Sequence, residues 1–553
     1  MKNLFKKIFL NVFLLPFFSF ATVTTKLGDK IKVDGIIESK EWEGAQSFDI
    51  KYEYEPGYNT LPPFKTTAYV TYSDTKLYVA FDAKIEDIKY LRASIRERDT
   101  GFMDDWVAIA LDTYGDNRSL ILIGSNAYGS QIDFKETLGA HDSDISYNVN
   151  YETKAVIGED GYIVEMAIPF SELQYEKKDT LRWKASFLRT SWKESKIAVS
   201  NNKFDRGNDC ISCQIDTYIE LEGVNPKKRL EFLPYVSGNY VGSSDGNKIS
   251  YDKPNFKAGL SARYDFSSST ALDFTINPDF SQVEADVTRI NINSPFAVNY
   301  PERRPFFNEG NDILSSYGDA VYTRSINNPI FASKLVNQGS KQRVYFLTSY
   351  DRDTPYLVPG ENRSYFGKGE GSFGNILRYQ RTFENGSNVG FLSTNRFYNG
   401  GGMGNMFGVD AKIRFNKTYN LDFVYGNSFS EEPNKDWISS SDVIEGKTVA
   451  LDGEKFSGNA LSIGFNRISE HWVTSIDYDQ LSPLFRADMG FVTQNNFREF
   501  SFEQGYMNQR DKKVKMYFAK IETEIRYNFN GKLKRVHLLP IYSMSFKNGF
   551  SFD

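Results

Sequence analysis

Hydrophobic and polar residues alternate along several segments in the second half of the chain. In 258–264, 409–415 and 517–527, every second residue except Thr523 is apolar or aromatic. Most of the residues that alternate with these are charged or small. A period of two places successive side chains on opposite faces of a β-strand. Each strand then has an apolar and a strongly polar face, as in a wall between lipid and a water-filled lumen. We expect residues 223–553 to form an antiparallel outer-membrane β-barrel; a large soluble sheet domain is the alternative.

Shorter apolar runs, separated by turn residues, occupy the first part of the chain. The runs 67–72 and 77–82 flank Ser-Asp-Thr-Lys and predict a hairpin. Further strands are predicted at 105–112, 161–169 and 183–192. Many short strands with few helical stretches are typical of a β-sandwich. We therefore predict an all-β chain in which a β-sandwich over residues 22–222 precedes the barrel.

A long charged segment, 277–310, breaks the alternation within the predicted barrel. It contains several prolines, and its acidic and arginine side chains can pair with one another inside a polar lumen. Long loops of this kind are usually functional, so we interpret the segment as a barrel plug; a surface loop is the alternative. The residues of this plug motif are Asn277, Asp279, Glu284, Asp286, Glu302, Arg303, Arg304 and Glu309.

The first residues have the composition of an export signal. Lysines at the start precede the apolar stretch 8–20, and Ser19-Phe20-Ala21 places small residues at the cleavage-determining positions. These features define a secretory signal peptide, and the apolar stretch is too short for a membrane anchor. We expect residues 1–21 to be a signal peptide that is removed on export.

The two cysteines, Cys210 and Cys213, form a C-x-x-C motif. In an exported chain this spacing favours a small-loop disulfide. A redox pair is the alternative, but no thioredoxin-like βαβ pattern surrounds the motif. A zinc site would need two further ligands, and the histidines are scattered along the chain. We expect a disulfide here and no metal site.

Composition excludes two classes of protein. The formal net charge is -5, without the basic excess of a nucleic-acid-binding protein. The mean hydropathy is -0.47, and beyond the start no apolar run approaches the length of a membrane helix. Aromatic residues nevertheless make up 15% of the chain, with 45 Phe and 34 Tyr. Such residues favour strands and form the girdles of membrane barrels, which agrees with the predicted location.

Several motifs resemble those of known families. The motifs similar to a family 9 carbohydrate-binding module are Asp34-Gly35, Glu41-Trp42, Ala45, 77–80, 105–107, 111–114, 161–170 and Leu173. The block 277–310 resembles the signature of bacterial outer-membrane proteins of the DUF5916 type, in which such a module precedes a β-barrel. The resemblance implies an outer-membrane location, contact with outer-membrane lipid, and glycan binding.

The end of the chain departs from that family pattern. Barrels of this type usually continue further and finish on a strand with a terminal aromatic residue, whereas this chain stops at Asp553. About a dozen candidate strands follow residue 226, and a bacterial barrel needs an even number, closed without edges. We therefore expect either a truncated or a shortened member of this family, and the sequence does not determine whether its barrel closes.

Carbohydrate recognition combines aromatic rings with carboxylates, amides and arginines that bind hydroxyl groups. Trp42 and Trp106 are expected in the core, where large rings usually pack. The better candidates are polar residues near strand ends: Arg96, Arg98, Asp99, Asp105, Arg118 and Asn126. Arg98 and Asp99 can form a clamp for hydroxyl groups; a structural ion pair is the alternative.

Metal and catalytic motifs have little support in the sequence. Oxygen ligands for Ca²⁺ are offered by Asp104, Asp105, Asp112 and Asp116, but without EF-hand spacing, so we expect no cofactor. There is no H-E-x-x-H, G-x-S-x-G or Walker A motif, and we predict no catalytic residue. The sequence favours glycan binding at the outer membrane, coupled to glycan uptake or display. The alternatives are a secreted glycoside hydrolase of carbohydrate catabolism, acting on O-glycosyl bonds, and a non-catalytic protein of barrel assembly or protein contact.

Overall fold

The fold is all-β, as the hydrophobic patterns predict. The computed structural model describes residues 24–28, 30–137, 143–145, 147–192, 196–208, 210–225, 229–244, 246, 248–278, 302, 304–383, 385–508, 514–546 and 550–553. The predicted signal peptide 1–21 lies outside these residues, as do Asp279, Glu284, Asp286 and Arg303 of the predicted plug motif. No helix within the described part of the chain has the length and hydrophobicity needed to cross a bilayer.

The first twelve strands form two facing sheets. Their bounds are β1 Gln46–Asp49, β2 Tyr52–Glu55, β3 Thr66–Tyr72, β4 Lys76–Lys84, β5 Trp106–Asp112, β6 Ser119–Asn126, β7 Gln131–Thr137, β8 Glu152–Ile157, β9 Gly161–Pro169, β10 Thr180–Trp192, β11 Lys196–Ser200 and β12 Tyr218–Glu222. One sheet has the order β1-β3-β4-β9-β8, and the other has the order β2-β11-β10-β5-β6-β7, with β12 paired to β10. The result is a sandwich-like unit.

The sandwich core follows from the alternation of its strands. The predicted hairpin is confirmed as β3 and β4, in which Val70 lies opposite Val79. Both valines are fully buried, together with Phe187 of the facing sheet. The Phe187 ring stacks on Phe48 with 4.6 Å between ring centroids. The two sheets are therefore held together by apolar side chains from their inner faces, as expected for a sandwich.

The rest of the chain forms one long antiparallel sheet. Its strands are β13 Leu230–Asn239, β16 Asn255–Ser267, β17 Thr270–Ile276, β18 Pro329–Gln338, β19 Gln342–Asp351, β22 Ser372–Thr382, β23 Asn388–Tyr398, β24 Met403–Phe415, β25 Tyr419–Glu431, β30 Lys455–Ile468, β31 Trp472–Leu481, β32 Phe497–Asn508, β33 Val514–Tyr527, β34 Leu533–Phe546 and β35 Ser551–Phe552. These fifteen strands follow one another in chain order across the sheet. Among the described residues, no pairing joins β13 to the last strands.

Connections at the two ends of this sheet differ in length. Short turns, such as 268–269 and 339–341, lie at the end that contacts the sandwich. Long connections, such as 352–371 and 432–454, lie at the opposite end. Small hairpins within the long connections are formed by β14 Gly242–Ser244 with β15 Ile249–Tyr251, β20 Pro355–Val358 with β21 Tyr365–Lys368, β26 Asn434–Lys435 with β29 Leu451–Asp452, and β27 Val443–Ile444 with β28 Lys447–Thr448.

The two faces of the long sheet have inverted polarity. In β22, Phe373, Leu377 and Tyr379 are exposed, whereas Arg378 between them is completely buried. The same holds in β24, where the buried Asp410 lies between the exposed Val409 and the half-buried Ala411. Water-soluble proteins usually bury the apolar face and expose the charges. Here the polar face is turned inward and covered by other parts of the chain.

Short helices cover this inner face. They are α1 Pro305–Asn308 and the 3₁₀ helices Asn311–Ala320 and Thr323–Ser325; further 3₁₀ helices, in the sandwich, are Ile88–Tyr90, Gly101–Met103, Phe170–Glu172 and Ser212–Gln214. Phe307, Ile313 and Leu314 pack with Val336 and Leu347 of the sheet in a buried cluster. The end of the segment predicted as a plug therefore lies against the inner face of the long sheet.

Candidate functional site

Two of the predicted sugar-binding residues meet at the end of the sandwich that lies away from the long sheet. Asp104 accepts hydrogen bonds from the Arg96 guanidinium (Nε to Oδ2, 3.3 Å) and from Asn126 Nδ2 (3.0 Å). Asn126 also donates to the Ser94 carbonyl and accepts from the amides of Tyr128 and Ser130. Asn126 is completely buried and Asp104 almost so, whereas the Arg96 side chain is 43% exposed. Of this group, Arg96 is the one open to a ligand.

Arg98 and Asp99 meet at a third residue, Asp133. The Arg98 Nε donates to Asp133 Oδ1 (2.8 Å), and Asp99 Oδ1 accepts from the Asp133 amide (2.7 Å). Arg98 Nε lies 3.7 Å from Asp99 Oδ2. Burial raises the pKa of Asp133 to about 6, against the opposing effects of the Val149 amide and Arg98. Arg98 and Asp99 therefore help to hold the edge strand β7 in place. Their partner in that strand is the buried carboxylate of Asp133, which was not among the residues predicted from the sequence.

Asp105 and Arg118 lie apart from these groups. Asp105 is completely buried, and its Oδ1 accepts from the amide of Trp192 (2.7 Å). Arg118 is nearly buried at the other end of the sandwich, where its Nη1 donates to the carbonyl of Gly339 in a turn of the long sheet (3.2 Å). The six predicted residues thus do not form one site: they fall into two clusters, one buried carboxylate and one interdomain contact.

The motifs Asp34-Gly35 and Glu41-Trp42 have a structural role. Trp42 Nε1 donates to Glu165 Oε1 (2.9 Å), and Glu165 Oε2 accepts from the amides of Asp34 (3.0 Å) and Gly35 (2.8 Å). Trp42, Trp106 and Trp183 are buried, as expected for core rings. These contacts connect the start of the domain to β9.

A buried ion-pair network joins the sandwich to the long sheet. Lys135 of β7 has its Nζ 3.3 Å from Asp312 Oδ2, and Asp312 also pairs with Arg343 on the inner face of β19. Burial lowers the pKa of Lys135, although Asp312 opposes this effect. Burial alone would raise the pKa of Asp312, but Arg343 and Lys135 outweigh it and hold this pKa below its usual range.

The described residues of the predicted plug motif take part in similar contacts. Glu302 and Arg304 pair with each other (2.7 Å), and Arg304 also donates to the carbonyl of Ile326 (2.6 Å). Glu309 pairs with Arg263 of β16 and accepts from Gln174 of the sandwich (2.6 Å). Asn277 Nδ2 donates to the carbonyl of Ala258 (2.7 Å). The segment 302–326 is therefore tied both to the inner face and to the sandwich.

A cavity of about 950 Å³ lies between the sandwich and the start of the long sheet. Its walls are formed by 147–150 and 170–178 of the sandwich, by strands β13, β16 and β17, and by 305–309. Of the six predicted sugar-binding residues, Arg98 lines this cavity. Sequence reasoning could not find such a site, because its walls come from segments that are far apart in the chain.

The cysteine and acidic groups complete the list of candidates. Cys210 and Cys213 form a disulfide.

Among the described residues, one group of acidic side chains is close enough to hold a metal ion: Glu432, Asp452 and Glu454. Arg486 Nη1 lies 2.7 Å from Glu432 Oε1 and compensates its charge. None of the aspartates considered for Ca²⁺ belongs to that group.

Two family models match this chain. Residues 33–204 match the carbohydrate family 9 binding domain-like model. Residues 226–345 match the model of a domain of unknown function, DUF5916. A search of curated proteins gave no match.

Three solved structures show similarity. A carbohydrate-binding module family 9 from Caldicellulosiruptor kristjanssonii, in complex with cellotriose, is 17% identical, with 36% of this chain and 93% of that chain covered at a TM-score of 0.26. A putative carbohydrate-binding protein from Bacteroides uniformis is 12% identical, with 36% and 98% covered at a TM-score of 0.30. The FrpB iron transporter from Neisseria meningitidis is 8% identical, with 95% and 80% covered at a TM-score of 0.26. On the two family models, the chain carries a carbohydrate family 9 binding domain-like segment followed by a DUF5916 segment.

Proposed function

We propose that this protein binds a glycan at the outer membrane. The match of residues 33–204 to the carbohydrate family 9 binding domain-like model is the observation that carries glycan binding. The sandwich supplies arginine, amide and carboxylate groups of the kind that bind hydroxyl groups, with Arg96 accessible at one end and Arg98 at the cavity. The long sheet serves as the membrane anchor of this binding domain.

The inverted polarity of the long sheet supports the membrane location. Phe391, Phe407 and Phe423 are 39%, 44% and 37% exposed on its outer face. An apolar face of this extent is unfavourable in water and favourable against lipid hydrocarbon. On the opposite face, the buried Arg378 donates hydrogen bonds to Asp410 and to the carbonyl of Ile313, so its charge is compensated away from the lipid. Outer-membrane lipid is therefore the second partner that we propose.

The connections of the long sheet support a periplasmic position for the sandwich. In outer-membrane barrels, periplasmic turns are short and extracellular loops are longer. The sandwich contacts the end with short turns: the Ser268 hydroxyl donates to the carbonyl of Tyr175 (2.6 Å). The sandwich would then bind its glycan on the periplasmic side of the outer membrane. This position fits glycan uptake better than display at the cell surface.

Two experiments test this proposal. Cell fractionation should place the full chain in the outer membrane, with a folded band that changes its gel mobility on heating; recovery as a soluble periplasmic protein contradicts the membrane part. A glycan array probed with the detergent-purified full chain should show binding to at least one glycan. A blank array contradicts the binding part, independently of the fractionation result.

A further inference from the structure

The chemistry of the cavity between the two domains points to a specific class of ligand. At about 950 Å³, its volume lies within the range of about 300–1,000 Å³ that is typical of ligand pockets. Five basic and five acidic side chains line it. Arg229 pairs with Glu172 (3.4 Å), and Arg263 pairs with Asp265 (2.9 Å) and with Glu309. The charges largely compensate one another, so the cavity is suited to an uncharged ligand.

Its remaining polar groups suit hydroxyl groups. Asn308 Oδ1 and the Tyr175 hydroxyl are buried, and neither has a hydrogen-bond partner among the described residues. Both residues line the cavity, together with serines of 267–269. Amide and hydroxyl groups both donate and accept hydrogen bonds, so Asn308 and these serines suit a ligand with several hydroxyl groups.

Tyr235 adds an aromatic platform. It lies on β13 opposite Gly259 of β16, and a Cβ atom at Gly259 would lie only 2.5 Å from Tyr235 Cε1. The ring therefore lies against the glycine, and Tyr235 also lines the cavity. An aromatic face supported in this way can pack against the apolar C–H surface of a sugar ring.

We propose that this cavity is the glycan site, that it takes a neutral oligosaccharide, and that both domains contribute to it. The inference rests on the proposed glycan binding and locates it: the site includes Tyr235 and Arg263 of the long sheet as well as Arg98 of the sandwich. A match confined to the sandwich would not reveal this, because more than half of the lining residues lie outside residues 33–204.

The test uses the full chain in detergent and titration calorimetry with cellotriose, maltotriose and xylotriose. Tyr235→Ala should weaken the binding of the trisaccharide that wild type binds most tightly by about tenfold or more, and Tyr235→Phe should retain it. Asn308→Leu should weaken it as well. Tyr128→Ala is the matched control, because Tyr128 is an exposed aromatic residue on a sandwich turn, outside the cavity.

The outcomes separate this inference from the proposed function. Unchanged affinity in Tyr235→Ala and Asn308→Leu overturns the cavity site, and so does a loss confined to Arg96→Ala, which would place the glycan at the far end of the sandwich. Failure of wild type to bind any of the three sugars, or tighter binding of trigalacturonate, overturns the neutral class. The proposed glycan binding itself is contradicted only by a blank glycan array.

Discussion

Arg378 of β22 and Asp410 of β24 form a two-pronged ion pair on the inner face of the long sheet. The two guanidinium nitrogens Nη1 and Nη2 lie 2.6 and 2.8 Å from the two carboxylate oxygens. The Tyr317 hydroxyl donates to Asp410 (2.9 Å), and Arg378 Nε donates to the carbonyl of Ile313 (3.1 Å). The pair therefore joins two strands to the helical segment that covers them.

Breaking this pair should destabilise the folded sheet strongly. Arg378→Met leaves the buried Asp410 carboxylate without its cation, and we expect a loss of about 3–5 kcal/mol in the free energy of unfolding. The double variant Arg378→Met/Asp410→Leu leaves no unpaired charge and should lose less than Arg378→Met alone. Urea unfolding in detergent, followed by the heat-modifiable band, measures both. A larger loss in the double variant would show that the pair is not the source of the effect.

A glycine between the two strands makes room for the ion pair. A Cβ atom at Gly390 of β23 would lie 2.0 Å from Arg378 Nη1 and 2.6 Å from Asp410 Oδ1. Gly390→Ala should therefore displace the pair and lower the yield of folded protein and its unfolding midpoint. Gly426→Ala in β25 is the matched control, since its Cβ atom would meet nothing closer than 4.0 Å. Equal effects of the two alanines would contradict this account of Gly390.

The outer face should tolerate charge only if it faces water. Leu377 in β22 is 40% exposed. In lipid, Leu377→Arg should cost about 2–4 kcal/mol near the bilayer centre and reduce insertion into liposomes. Leu61→Arg in the sandwich, where the leucine is 81% exposed, should have little effect on the same measurement. Normal insertion of Leu377→Arg would argue against a lipid-facing surface there.

The stability of the sandwich should fall as pH rises through the range in which Asp105 titrates. Burial is the main cause that raises its pKa, from 3.8 to about 6, with the Trp192 amide opposing. The folded state then keeps the proton up to about pH 6, while the unfolded state releases it near pH 3.8. The stabilising contribution of the Asp105 proton is greatest below pH 3.8. This contribution of about 2–3 kcal/mol is lost as pH rises towards neutrality.

Tryptophan fluorescence can measure this effect, because four of the six tryptophans lie in the sandwich. Between about pH 4 and 7, Asp105→Asn should lose less stability in urea than wild type does. Asp49→Asn, a change at an exposed position of β1, should follow wild type. Parallel pH profiles of wild type and Asp105→Asn would refute the role of Asp105.

The periplasmic position of the sandwich can be tested on intact cells. The native cysteines form a disulfide, so a single introduced cysteine should be the main target of a membrane-impermeant maleimide. Ser441→Cys lies at an exposed position of the long connection 432–454 and should be labelled. Glu43→Cys, exposed in the sandwich, should be labelled only after the outer membrane is permeabilised. Labelling of Glu43→Cys on intact cells would place the sandwich outside.

The candidate sugar-binding residues show where sequence reasoning reached its limit. Asp105 and Asn126 have the chemistry and the strand-end positions of ligand residues, yet both are fully buried and bonded to backbone groups. A polar side chain that satisfies buried backbone atoms looks the same in sequence as one that waits for a ligand. Asp133, which organises Arg98 and Asp99, sits in an alternating strand with no motif around it.

The sequence by itself determined the all-β character and the two faces of the strands, because a period of two is a local property of the strand. It also carried the family motifs, since these are runs of neighbouring residues. Only the tertiary structure decided which charges pair, as Lys135 with Asp312 and Arg378 with Asp410 do, and which polar residues are buried. The physical reason is that ion pairing and burial depend on strand order, register and domain contact, which bring together residues that lie tens to hundreds of positions apart.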